Sequence, residues 1–207
     1  MGRIVQLDHP LVCHHLAALR DRSTPPRQFR EQVRRLSVLL CCEATTSLPL
    51  RHTQVETPLA TAECRELEGR IGIVPVLRAG LGMCEAVQDM IPHAEVWHLG
   101  FYRDESTLEP VEYYRKFSDS PPATALILDP MLATGGSASE GISIIRDWGV
   151  QTISLLCIIA APEGIARVTA LHPDVDIFCC AVDSHLNEKA YIVPGLGDAG
   201  DRIFNTL

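Results

Sequence analysis

Apolar positions in the first fifty residues recur at helical spacing. Pro25 and Pro26 open a segment in which Phe29, Val33, Leu36, Leu40 and Cys41 fall three to four residues apart, with Arg30, Arg34 and Arg35 largely on other faces. Such a pattern buries one stripe of an amphipathic helix. Periodicity weakens over residues 49–70, which predicts a hairpin or an irregular excursion. Beyond it, short apolar runs at Ile71–Val76, Val96–Phe101, Ala125–Leu128, Ile153–Ala161 and Val175–Val182 alternate with helix-like stretches. That alternation predicts an α/β fold whose parallel sheet is covered by helices on both faces. No repeat, low-complexity segment or linker divides the chain, so one domain over residues 1–207 is expected. Ligands of such sheets bind beyond the carboxyl ends of the strands, where loops lead into helices.

Charge narrows the classes of partner. With 26 Asp+Glu against 18 Lys+Arg, the formal charge is −8 and the pI is near 5.4. This argues against general nucleic-acid or anionic-membrane binding, which rests on excess positive charge, but leaves room for a local basic pocket. Only Lys116 and Lys189 are lysines, so sixteen of the 18 cations are arginines. Codon bias and anion recognition by guanidinium forks both account for that excess.

Cysteine usage bears on compartment. The eight are Cys13, Cys41, Cys42, Cys64, Cys84, Cys157, Cys179 and Cys180, and none has C-x-x-C spacing. Zinc-ribbon and thioredoxin readings therefore fail. Most lie in apolar runs, where a thiol acts as a small buried hydrophobe. The N-terminus breaks at Asp8-His9-Pro10 with no apolar signal core, and Gln6 departs from the myristoylation pattern. The apolar stretch around Ile153–Ala161 is too short to span a bilayer. A cytoplasmic protein with reduced thiols is expected, with no membrane or nucleic-acid partner. The eight histidines lack metal-ligand spacing, and no protein-held metal is expected.

The stretch richest in chemistry is Ala125-Leu126-Ile127-Leu128-Asp129-Pro130-Met131-Leu132-Ala133-Thr134-Gly135-Gly136-Ser137. Four apolar residues predict a buried strand, and Pro130 biases Asp129 to an extended conformation at its end. Thr134–Ser137 predicts a tight turn, and Ser137-Ala138-Ser139-Glu140 has the pattern of a capping box opening a helix. Glycines let backbone N–H groups converge and a helix N-terminus adds partial positive charge, so the junction suits a phosphate. It is not a Walker loop, because no lysine follows the glycines. Asp129 is placed to accept hydrogen bonds from sugar hydroxyls.

This string resembles the phosphoribosyl-pyrophosphate loop of phosphoribosyltransferases, and its Asp-Pro-Met-Leu-Ala-Thr-Gly-Gly-Ser form resembles that of the uracil phosphoribosyltransferase family. Many members of the wider superfamily carry two acidic residues at the strand end; here Pro130 replaces the second. Further matches run from about residue 8 to 206. Val74–Met83 is similar to the family's first strand-to-loop junction, which implies Arg78 as a pyrophosphate ligand. Gly100–Glu105, Leu108-Glu109-Pro110 and Tyr113–Lys116 resemble its arm, which implies the same role for Arg103, with Arg115 and Lys116 as weaker candidates. Residues 49–69 match no family pattern, and Cys42 stands where many members have an aromatic residue.

At the C-terminus, Gly195-Leu196-Gly197-Asp198-Ala199-Gly200 satisfies the dinucleotide fingerprint G-x-G-x-x-G. Only seven residues follow and Pro194 precedes it, so no βαβ unit can surround it and the dinucleotide reading is rejected. Tyr191–Asp201 instead resembles the family's uracil-recognition loop, which implies Ile192, Gly197, Asp198 and Ala199 around the base, with Asp198 also reaching the phosphoribosyl substrate.

The resemblance therefore implies a phosphoribosyltransferase-type core with N-terminal helices and a β-hairpin arm. It implies phosphoribosyl transfer to uracil, with Arg103 and Asp129 as catalytic residues. Arg78, Arg103, Asp129, Pro130, Met131, Leu132, Ala133, Thr134, Gly135, Gly136, Ser137 and Asp198 would bind phosphoribosyl pyrophosphate. Mg2+ would ride on the substrate, GTP is a possible effector, and a homodimer or higher homo-oligomer is expected. Transfer to another base, or a nucleotide-sensing RNA-binding regulator of the same fold, are the competing readings.

Overall fold

The computed structural model describes residues 2–103 and 110–206; the side chains at 102, 103, 110, 111 and 115 fall outside that description. A short strand β1 (Ile4–Gln6) leads into helices α1 (Pro10–Arg20) and α2 (Pro26–Ala44). A hairpin follows, β2 (Leu50–Glu56) and β3 (Thr61–Leu67). Then come β4 (Ile71–Leu77), α3 (Leu81–Met90), β5 (Glu95–Val96), β6 (Leu99–Arg103), β7 (Pro110–Arg115), β8 (Thr124–Leu128), β9 (Met131–Leu132) and α4 (Gly136–Trp148). The chain finishes with β10 (Thr152–Ala160), α5 (Pro162–Leu171), β11 (Asp176–Val182), β12 (His185–Leu186), β13 (Ile192–Val193) and α6 (Ala199–Phe204).

Among the described residues nine strands form one sheet, ordered β1-β11-β10-β8-β4-β6-β7, with β5 beside β4 and β9 beside β10. All its pairings are parallel except β6–β7. The apolar runs lack polar alternation because both faces are covered. Leu126 and Leu128 of β8 enter a core with Phe29, Leu36, Met83 and Phe178. Ala125 and Ile127 enter the opposite core with Val74, Ile142, Leu155 and Val168.

The expected strand Val96–Phe101 is two pieces: β5 pairs with Gly72–Ile73 and β6 with Val76–Leu77, broken at Trp97-His98. The weakly patterned 49–70 segment is the antiparallel β2–β3 hairpin, a separate two-stranded sheet. Its exposed Leu50, Val55, Leu59 and Leu67 explain why no periodicity marks it. Proline placement is as read: Pro26 sits in the first turn of α2, while the His9 side chain caps α1 through Leu11 N–H. Five cysteines are buried, but Cys42 is exposed despite its apolar run. No helix among the described residues is long and apolar enough to cross a membrane.

Candidate active site

Three loops meet at the carboxyl edge of the parallel strands. The first links β4 to α3 through Arg78, Ala79 and Gly80, with a cis peptide between Leu77 and Arg78. A Cβ at position 80 would lie 2.4 Å from the Leu128 carbonyl oxygen and 2.7 Å from Val76 N. Glycine is therefore what lets this loop lie against the end of β8. The Arg78 guanidinium is 58% exposed, 3.5 Å from Asp201 Oδ1, and 5.9 Å from the centre of the Phe204 ring. A cation held this loosely keeps most of its donors available.

The second loop follows β8. Thr124–Leu128 are all buried, and Asp129 N–H donates to Leu156 O, so the ladder extends through the backbone of Asp129. Asp129 Oδ1 accepts from Met131 N–H at 3.2 Å, turning the chain past Pro130. Burial pushes the Asp129 carboxyl up to about 6, partly offset by that hydrogen bond. Its charge is thus poorly solvated and seeks donors. Gly135, in the left-handed region at φ 76°, is the N-cap of α4, with no side-chain cap. The expected capping box is corrected accordingly: Gly136 is the first helical residue, and Ser137 lies inside the first turn. Gly135 has no side chain to place over the end, and Thr134 Oγ1 lies 3.5 Å from Gly136 N–H, so the first turn of α4 keeps N–H donors for an anion. A cleft of about 60 Å³, lined by Asp129 and residues 131–138, marks the place.

This loop is braced from behind by Gly164 in α5. A Cβ there would meet Ala133 O at 2.4 Å and Leu132 O at 2.9 Å, and one at Gly135 would meet Gly164 O at 2.8 Å. The two backbones are in direct contact, so the turn has no room to shift. Glu163, beside it, accepts from Leu186 N–H at 3.0 Å, which lowers its carboxyl below the usual range. The N-terminus of α5 thereby joins the second loop to the β12–β13 ribbon.

The third loop follows β13. The Val193–Pro194 peptide is cis, and Gly195 and Gly197 have φ of 64° and 81°. Asp198 caps α6 by accepting from Asp201 N–H at 2.9 Å. This disposes of the dinucleotide fingerprint structurally, since β13 is antiparallel to β12 and α6 has six residues. Gly197 and Asp198 are exposed, whereas the side chains of Ile192 and Ala199 are in the core. A Cβ at Gly200 would lie 4.0 Å from both Ala79 Cβ and Arg78 Nη2, which sets the third loop against the first.

Arg78, Asp129 with residues 130–137, and Gly197–Ala199 are thus gathered at one edge, whereas the side chain of Ile192 is buried in the core beneath. Arg103 ends β6, which pairs with β4, but its side chain and residues 104–109 lie outside the described residues. Sequence reasoning missed Arg20, Asp183 and Arg202. Arg20 donates to both Asp183 oxygens and to Gly195 O. Arg202 donates to Leu19 O, Leu196 O and Asp21 O and lies 4.2 Å from the centre of the Phe29 ring. The arginine excess was the available signal. A hollow of about 490 Å³ between Arg51, Glu66, Ile71 and Met90–Ala94 lies at the amino ends of the strands, away from all three loops.

A sheet carrying such loops at its carboxyl edge defines the phosphoribosyltransferase class. The adenine phosphoribosyltransferase of Trypanosoma brucei shares this fold at a TM-score of 0.52 and 10% identity, covering 81% of this chain and 69% of that one. A solved protein from Aquifex aeolicus superposes at 0.93, with 37% identity over 97% of each chain. The uracil phosphoribosyltransferase family model matches residues 5–206. A uracil phosphoribosyltransferase of Natranaerobius thermophilus is 53% identical over 208 residues, 100% of both chains. The chain belongs to the uracil phosphoribosyltransferase family.

Proposed function

We propose that the protein transfers the 5-phosphoribosyl group of 5-phospho-α-D-ribose 1-diphosphate to N1 of uracil, giving UMP and diphosphate in pyrimidine salvage. One observation carries the reading: a half-buried carboxylate, Asp129, at a strand end directly ahead of a glycine-headed helix. That arrangement suits a sugar phosphate, with hydroxyls for the carboxylate and phosphate oxygens for the helix end. In this reading Pro130–Ser137 hold the 5′-phosphate and Asp129 holds the ribose. Gly197, Asp198 and Ala199, with Ile192, read the base through main-chain groups.

Uracil N1 bonds to C1′ as the bond from C1′ to the diphosphate oxygen breaks, and the N1 proton is released. Negative charge grows on the leaving group, where Arg78 and Arg103 act as donors fixed in advance. The anchored phosphate keeps C1′ in line with N1. Mg2+ would be held on the phosphate oxygens of the substrate, where it would neutralise charge. Among the described residues no three His, Cys, Asp or Glu side chains are arranged to hold a metal ion. A lone carboxylate followed by Pro130 suits an ion that keeps its waters and rides on phosphate oxygens.

A single domain over 1–207, a cytoplasmic location and a homo-oligomer complete the reading, the last supported by the exposed apolar residues of the β2–β3 hairpin. A GTP effector rests on the family resemblance alone. The test is a spectrophotometric assay of uracil with the diphosphate substrate and Mg2+, with and without GTP, against hypoxanthine, adenine and orotate. UMP formation from uracil is expected, and no uracil turnover would overturn the assignment.

A further inference from the structure

The geometry points to Arg20 and Asp183 as a positioning pair for the base loop, an inference that rests on the reading of residues 192–199 as the base-recognition segment. Asp183 is a carboxylate with a side chain only 4% exposed, at the end of β11, and its partner Arg20 ends α1. Arg20 Nη2 donates to Asp183 Oδ1 at 2.5 Å, and Arg20 Nη1 donates to Asp183 Oδ2 at 2.8 Å. The same Nη1 donates to Gly195 O at 2.8 Å, and Gly195 N–H donates back to Asp183 Oδ2 at 3.0 Å.

The result is a closed ring of hydrogen bonds in which both polar backbone groups of Gly195 are held. A buried ion pair of this kind is usually an expensive way to stabilise a fold. Here it does something an apolar pair cannot, because it fixes one peptide's orientation. Gly195 is in the left-handed region, and a Cβ there would fall 2.1 Å from Ile192 O. The loop doubles back tightly enough that its backbone lacks local partners. Leu196 O is held in turn by Arg202. Two successive carbonyls thus turn inward toward arginines. Gly197, the first exposed residue after them, begins the stretch read as facing the base. Neither Arg20 nor Asp183 touches substrate in this account; they act through Gly195.

Arg20→Lys keeps a positive charge beside Asp183 but loses the fork that reaches Gly195 O at the same time. Asp183→Asn keeps an acceptor for Gly195 N–H and removes the charge. Each is measured by amide hydrogen exchange over residues 191–199 and by KM for both substrates. Loss of a charge-assisted hydrogen bond predicts about tenfold faster exchange in the loop and about a tenfold rise in KM for uracil. Exchange in β8 and β10 and kcat should stay within about twofold, and KM for the diphosphate substrate, which the loop meets through Asp198 alone, should rise clearly less than KM for uracil, a split that general unfolding would not give. Unchanged loop exchange in both variants overturns the proposal, as does a parallel rise in both KM values.

If the wild-type enzyme uses another base, the uracil assignment falls while the KM split is read on that base. If it turns over none, uracil affinity by calorimetry replaces KM, and equal affinity in wild type and variants overturns the pair.

Discussion

The phosphate junction and the base loop stand side by side, yet they are held in opposite ways. Residues 129–137 are fixed mostly by short-range geometry, an Asp129–Met131 turn and a left-handed Gly135, with one distant brace in the backbone contact with Gly164. Residues 193–200 are fixed from a distance, by Arg20 on α1 and by Arg202, which ties the segment to the α1–α2 connection. The phosphate junction is held because nothing fits between its backbone and that of Gly164. The base loop is ordered because charged forks satisfy its carbonyls. In the proposed reading the site combines a fixed anchor for the phosphate with a separately tensioned reader for the base.

Substitutions can break this contrast. Gly164→Val pushes into Ala133 O and Leu132 O, and overpacking against backbone predicts a loss of about 3 kcal/mol. In a chain of this size that lowers Tm by roughly 6–12 °C, readable by scanning fluorimetry. Turnover should fall on the order of 10²-fold, since the anchor moves. Asp129→Asn should likewise cut kcat/KM for the diphosphate substrate on the order of 10²-fold, as loss of a charged site group does.

Its effect on stability runs the other way. The folded Asp129 pKa of about 6 lies above the unfolded value, so the folded state binds the proton more tightly. The ionised carboxylate therefore costs stability above pH 6, and that cost is relieved as pH falls from 6 toward 4. Asp129→Asn should thus raise Tm at pH 7.5 while crippling the enzyme; a lower Tm would show that the carboxylate is not desolvated.

For the base loop, Arg202→Lys removes a fork shared by Leu19 O, Leu196 O and Asp21 O. Loss of charged hydrogen bonds predicts about 1–3 kcal/mol. Steady-state kinetics should show KM for uracil rising more than KM for the diphosphate substrate. The smallest effect is on pH dependence: kcat/KM for the diphosphate substrate should fall to about half its pH 8 value near pH 6, as Asp129 takes a proton.

The same contrast explains what could be read from residues alone. The strands of the core were visible because parallel strands buried on both faces are continuous apolar runs, as in Ala125–Leu128. The phosphate junction was visible because its determinants are neighbours in sequence. The capping box misled, because Ser137 and Glu140 imitate a capped helix while Gly135 does the work by conformation. Arg20 and Asp183 were invisible as a pair, being 163 positions apart. The arginine count hinted at anion binding, but Arg20, Arg30 and Arg202 donate to main-chain carbonyls around the C-terminal segment. The β2–β3 hairpin was legible only as one of two alternatives for residues 49–70, because it buries too little to leave a pattern.

The pairing of β1 with β11 also bears on synthesis. Ile4–Gln6 align with Ile177–Cys179, and Gly2 N–H reaches Pro173 O. β1 thus finds its neighbour only after β11 has been made. Until then the apolar stripe of α1 and α2 has no β11 or α6 to cover it. Closure of this core therefore waits for β11, and a product stalled before it would present the uncovered part of that stripe to chaperones.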